Sequence, residues 1–186
     1  IGPSAADASS ALSFTLNGRA VQAFVEPRTS LADFLRDERH LTGTHVSCEQ
    51  GVCGACTVLL DDQPVRACIT WALACEGRAV RTIEGLDDDP TTERLRAAFH
   101  REHALQCGFC TPGMLITARD MVCRGVPDDE AKVREALAGN LCRCTGYSGI
   151  VRAVRSVLLE GPAGCEGAPP ASAAVASRPA GMPATP

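Results

Sequence analysis

The sequence predicts an α+β protein with strands in its N-terminal half and helices in its C-terminal half, and three observations carry that prediction. Residues 11–25 alternate apolar and polar side chains around Asn17-Gly18, the pattern of a β-hairpin closed by a tight turn. Beyond residue 87 the apolar positions recur at offsets of three and four, the helical period. Eight of the eleven cysteines fall into two tight groups, one in each half, so each half carries its own set of soft donor atoms.

The elements follow in order. Leu12, Phe14 and Leu16 share one face of the first strand, and Val21 to Val25 form the second. Ser30 can cap a short helix in which Leu31, Phe34 and Leu35 line one side before the charged stretch Arg36 to Arg39. A cysteine loop, Cys48 to Cys56, leads into a strand at Thr57 to Leu60, a turn at Asp61 to Pro64, and a second strand carrying Cys68. Ala79 to Ile83 reads as a further strand. The acidic, turn-rich segment Gly85 to Pro90 places a domain boundary near residue 87. The expected division is a loose arm at 1–10, a first domain at 11–86, a second at 87–160, and a tail at 161–186.

In the second domain, Thr91 to Leu105 has Leu95, Ala98 and Phe99 on one side. The segment from Pro112 carries Met114, Leu115, Ala118, Met121 and Val122, and Asp128 to Ala138 carries Val133, Ala136 and Leu137 before Gly139 stops it. Ser148 to Leu159 presents Ile150, Val151, Val154, Val157 and Leu158. Four amphipathic segments with short connections predict a small antiparallel four-helix bundle. From Pro162 onward, six prolines and eight alanines in 25 residues cannot build a core, and the tail is expected to be disordered or to wrap a partner.

A net charge of −4 with no basic face argues against nucleic-acid binding, which needs lysine and arginine against phosphate. No run of 18 apolar residues and no signal peptide is present, so the expectation is a soluble, cytoplasmic protein without a transmembrane segment.

The cysteines carry the chemistry. Cys48, Cys53 and Cys56 stand as C-x4-C-x2-C, with Cys68 eleven intervening residues further on, the spacing of plant-type [2Fe-2S] ferredoxins. A loop wrapped around such a cluster turns its N–H groups toward sulfur, and Gly51 and Gly54 permit the backbone angles that this requires. Zinc knuckles use two separated C-x2-C pairs instead. His45 lies near Cys48, but no second histidine has ligand spacing, as a Rieske centre demands. The four histidines, His40, His45, His100 and His103, therefore read as solvated or hydrogen-bonded.

The second group, Cys107 and Cys110 followed by Cys142 and Cys144, leaves iron–sulfur and zinc both open when read alone. Thr111 can cap a helix beginning at Pro112, and Thr145 can cap another running through Ile150 and Val154, which would aim two helix N-termini at an anionic centre. Cys75 and Cys123 match no ligand pattern and read as buried thiols, and Cys165 reads as incidental to the tail.

Taken with the first loop, the segments Gln106-Cys107-Gly108-Phe109-Cys110-Thr111-Pro112-Gly113 and Leu141-Cys142-Arg143-Cys144-Thr145-Gly146-Tyr147 resemble the iron–sulfur subunit of the molybdenum hydroxylases, the xanthine dehydrogenase and aldehyde oxidoreductase family. The resemblance spans roughly residues 11 to 160 and departs from the family at none of the eight cysteines. It implies a β-grasp ferredoxin domain followed by a four-helix bundle, each holding one [2Fe-2S] cluster. Cys107, Cys110, Cys142 and Cys144 would bind the molybdenum-side cluster, and Cys48, Cys53, Cys56 and Cys68 the flavin-side one.

The resemblance also implies partners: a large subunit with a molybdenum–pterin cofactor and a medium subunit with FAD, in a dimer of heterotrimers. By the same carry-over, Gln106 would meet the pterin through its amide, and Cys144 would be the ligand nearest the pterin amino group. The plain alternative for Gln106 is a surface residue before a turn. Phe109 reads as packing that keeps water from the cluster. No residue reads as a catalytic acid, base or nucleophile, so the chain's part is electron transfer. A free-standing two-cluster carrier and a zinc-stabilised adaptor are the competing readings.

Overall fold

The computed structural model describes residues 9–165; most of the expected arm and most of the expected tail lie outside the described residues. Strands β1 (Ser10–Leu16) and β2 (Arg19–Val25) form the hairpin, and Asn17 and Gly18 both take positive φ, 49° and 76°, as the tight turn requires. Ser30 caps helix α1 (Leu31–Asp33) by accepting from the Asp33 N–H, and the helix widens into a π-turn at Phe34–Glu38.

Strands β3 (Thr57–Leu60), β4 (Gln63–Arg66) and β5 (Ala79–Arg81) complete a five-stranded sheet in the order β2-β1-β5-β3-β4. β5 slots between β1 and β3, parallel to the first and antiparallel to the second. Cys68, expected within the second strand after the cysteine loop, is corrected: β4 ends at Arg66 and Cys68 lies just past it, in a single helical turn at Ala67–Ile69.

The helices are α2 (Pro90–Arg101), α3 (Thr111–Cys123), α4 (Glu130–Ala136) and α5 (Ser148–Glu160). All four were legible as amphipathic segments, and all four contribute to one core that includes Leu95, Phe99, Met114, Met121, Val133, Ile150 and Val154. A separate core of Leu12, Phe14, Leu31, Phe34, Leu35, Val58 and Val80 lies under the sheet. β3 is buried along its whole length because it is covered on both faces. Val58 and Leu60 point into the sheet's core, while Leu59 packs with Leu86 and Ile116, tying the sheet to α3.

Both expected caps in the second half are corrected. The Met114 N–H bonds to the Cys110 carbonyl at 3.0 Å, so Cys110 takes the cap position of α3 and Thr111 is already inside it, its hydroxyl buried without a hydrogen-bond partner. Thr145 is likewise not the cap of α5. Gly146 and Tyr147 adopt successive left-handed angles, φ 64° and 67°, and redirect the chain so that Tyr147 caps the helix. The Thr145 N–H and hydroxyl lie instead 3.5 and 3.1 Å from Cys142 Sγ.

The readings of Cys123 and Cys165 are also corrected. The two form a disulfide across a sequence separation of 42 residues, which spacing alone does not reveal. Residues 161–165 thereby become a strap over the start of α2. Thr91 Oγ1 donates to the Ala163 carbonyl at 2.6 Å and Arg94 Nη2 to the Gly161 carbonyl at 2.7 Å. Cys75 is buried and free as expected, and burial pushes its thiol up to about 11.

Replacing Cys165 by serine is expected to cost about 2–4 kcal/mol by releasing the closed loop. Urea unfolding of the oxidised proteins measures this, and the difference vanishes when both are reduced. Equal stability under oxidising conditions would count against the bond. Among the described residues no helix is long and apolar enough to cross a membrane.

Beneath the strap, Arg119 Nε and Nη2 reach one carboxylate oxygen of Asp89 at 2.9 and 2.7 Å, and the other oxygen caps α2 through the Thr92 N–H at 2.7 Å. Both side chains are almost fully enclosed, at 2% and 7% exposure. Although burial opposes it, the Arg119 and Thr92 hydrogen bonds hold the Asp89 carboxyl below its ordinary value.

Candidate metal centres

The first cysteine loop is shaped to turn its amides inward. Glu49, Gly51 and Gly54 take positive φ of 54°, 74° and 74°, and the N–H groups of Gln50 and Cys53 point at Cys48 Sγ from 3.5 and 3.4 Å. Such donors favour a thiolate, and those of Cys53 and Gln50 draw the Cys48 thiol down to about 6. Cys68 goes the other way, pushed up to about 11 by burial and by its neighbour Cys56, with Cys48 close enough to repel a second charge. The sequence-predicted donors Cys48, Cys56 and Cys68 are therefore brought together.

The second group lies at the surface. Cys107 and Cys144 are exposed, with their sulfurs 3.5 Å apart, and Cys110 and Cys142 lie behind them, half-buried. Burial, then hydrogen bonding with Cys142, pushes the Cys110 thiol up to about 12. Against the pull of burial, the Thr145 hydroxyl and N–H lower Cys142. The Phe109 N–H, then Cys144, lower Cys107. All four line a cavity of about 220 Å³ together with Cys53, Phe109, Leu141 and Arg143. Gln106 is exposed beside Cys107.

Two such quartets fit iron–sulfur clusters on the chemistry of their donors. Burial and mutual repulsion oppose four adjacent thiolates, and a cationic metal pair supplies the missing counter-charge. A binuclear cluster shares four such thiolates between its two irons.

The groups that join the two quartets were not legible in the sequence. The Leu141 N–H donates to the Cys53 carbonyl at 2.8 Å. Asn140, 2% exposed, donates to the Gly54 carbonyl at 3.2 Å and accepts from Thr117 Oγ1 at 3.0 Å. Arg66 bridges Thr57 Oγ1 at 2.6 Å and the Gly139 carbonyl at 2.7 Å. Gly139 reads in sequence as a helix stop, and nothing in the spacing reveals that the next residue, Asn140, is a buried amide shared between two loops. Phe109 is 44% exposed, so it does not seal the second group; it stacks on His45 instead.

Comparison with known proteins agrees with this geometry. Residues 14–80 match the 2Fe-2S iron-sulfur cluster binding domain, and residues 82–155 match the [2Fe-2S] binding domain. The chain is 50% identical over 149 residues to caffeine dehydrogenase subunit gamma of Pseudomonas sp. strain CBB1, covering 78% of this chain and 89% of that one. It belongs to the iron–sulfur subunit family of the molybdenum hydroxylases.

A second relative of this iron–sulfur subunit is the nicotine 6-hydroxylase small subunit of Paenarthrobacter nicotinovorans, 50% identical over 139 residues, with 75% of this chain and 84% of that one covered. Among solved structures, quinoline 2-oxidoreductase from Pseudomonas putida 86 superposes with a TM-score of 0.76 at 47% identity, over 82% of this chain and 94% of the matched one. These relatives belong to oxidoreductases.

Proposed function

We propose that the protein is the electron-transfer subunit of a molybdenum-dependent hydroxylase. Residues 11–86 would form a β-grasp ferredoxin domain holding a [2Fe-2S] cluster on Cys48, Cys53, Cys56 and Cys68. Residues 87–160 would form a four-helix bundle holding a second on Cys107, Cys110, Cys142 and Cys144. When bound, the clusters carry electrons one at a time between a molybdenum–pterin centre in a large subunit and FAD in a medium subunit.

The observation that carries this reading is the joint itself: two cysteine quartets in one chain, linked from Cys53 to the residue before Cys142 by a single 2.8 Å hydrogen bond. The chain's own residues have distinct tasks. Inward N–H groups from Gln50, Cys53 and Thr145 stabilise negative charge on sulfur. Gln106, Cys107 and Cys144 present an open face that suits the pterin side, with the Gln106 amide offering a donor and an acceptor to a heterocycle edge. We assign the complex to a cytoplasmic dimer of heterotrimers, and the names of the caffeine, nicotine and quinoline relatives suggest that it acts on a nitrogen heterocycle.

The test is elemental analysis of the native complex. About four iron and four acid-labile sulfide per chain are expected, co-eluting with molybdenum and flavin. Zinc without sulfide would sink the proposal, and a chain that elutes alone with its iron would replace it with a free carrier.

A further inference from the structure

His45 is not a ligand in this arrangement, yet it spans the two cysteine loops. It comes three residues before Cys48, and its ring lies against Phe109, which stands between Cys107 and Cys110. The two rings stack with centroids 4.7 Å apart and planes 21° from parallel, and His45 Nδ1 lies 2.7 Å from the Phe109 carbonyl oxygen. A carbonyl only accepts, so Nδ1 carries the proton and donates.

The base of this contact is held firmly. Arg36 Nη1 donates to the carbonyls of Thr42 and Thr44 at 3.1 and 3.0 Å, and Thr44 is buried at 2% exposure. The imidazole is thus presented from a fixed backbone. On the receiving side, the Cys107–Cys110 turn is closed by the Thr111 N–H, which donates to the Gly108 carbonyl at 3.1 Å, and the Phe109 N–H lowers the Cys107 thiol. The Phe109 carbonyl and the Cys110 N–H are two ends of one peptide unit. A hydrogen bond to the carbonyl end polarises that unit and strengthens its N–H as a donor.

We propose that His45 is a positioning residue that clamps the Cys107–Cys110 turn to the ferredoxin-side loop and, by polarising the Phe109–Cys110 peptide, raises the reduction potential of the centre in the helical half. The stack fixes where the turn lies, and the Nδ1–H bond sets how strongly its amide stabilises the reduced, more negative state. The inference rests on the iron–sulfur reading above.

Two substitutions separate the two contributions. His45→Phe keeps a stacking ring and removes the donor, while His45→Asn keeps a donor of similar reach and removes the ring. The experiment is an EPR-monitored redox titration of the intact complex, following both [2Fe-2S] signals. In His45→Phe, the helical-half signal is expected to show a three- to tenfold lower ratio of reduced to oxidised centre at a fixed potential, tenfold being 59 mV for one electron. The other signal holds still, and His45→Asn returns the ratio to within about twofold of the parent.

A shift in neither variant, or equal shifts in both, overturns the inference. Absence of both signals from the parent would overturn the iron–sulfur reading instead, so the two failures are distinguishable. Thermal unfolding of each variant identifies loss of fold, which the unshifted second signal also reports.

Discussion

Alanine at position 113 is expected to destabilise the protein by about 3 kcal/mol, the upper end for forcing one extra methyl into a packed site. Gly113 lies in the first turn of α3, and a Cβ there would fall far inside contact distance of the Gly54 carbonyl oxygen and 3.0 Å from that of Ala55. Both obstacles are backbone, so no side-chain rotation relieves them. The Gly54 oxygen is also held in place, since it accepts from Asn140 Nδ2 and from the Thr57 hydroxyl. Helix and loop must therefore part, and the bonds between the two halves weaken with them. Urea unfolding measures the cost. A change within about 0.5 kcal/mol, the range of an ordinary surface substitution, would mean that the two halves are not in close backbone contact.

Arg119→Met should cost still more, about 3–5 kcal/mol, because it leaves the Asp89 carboxylate enclosed and unpaired. The pH dependence has a definite sign. In the parent, the Asp89 pKa lies below its ordinary value, so its contribution is fully present above the unfolded value of about 3.9 and is lost as pH falls through the folded one. Without the guanidinium, burial dominates, the folded pKa rises, and the carboxyl favours its neutral form. The gap in melting temperature between variant and parent should then be widest at neutral pH and narrow on acidification. Adding Asp89→Asn, which keeps the cap on α2, should recover most of the loss, and the double-mutant cycle isolates the pair. A gap that widens toward acid pH would contradict this account.

The parts of this molecule that follow from local chemistry were legible from residues alone. Leu12, Phe14 and Leu16 alternate because one face of β1 is buried, and the Asn17-Gly18 turn has no comparable competitor. The four helical segments announce themselves by their period, and the two cysteine groups by their spacing. What the sequence could not supply depends on how distant segments meet. Thr111 and Thr145 are good capping residues, yet the left-handed turn at Gly146 and Tyr147 and the placement of Cys110 moved both helix starts away from them. Cys123 and Cys165 find each other only because the chain folds back over α2. Asn140 and His45 look like ordinary polar residues until the opposite loop is in place beside them.

The joint at Asn140 and Leu141 also bears on how the protein matures. The Cys53 carbonyl accepts from Leu141, and the Gly54 carbonyl accepts from Asn140 as well as from Thr57 in its own half, so neither loop has its full set of partners until both are ordered. Coupling of this kind is reciprocal: whatever rigidity the first loop confers on the second, the second confers equally on the first. The two metal-binding loops are therefore expected to assemble as one cooperative unit, with the half-formed chain as the least populated state.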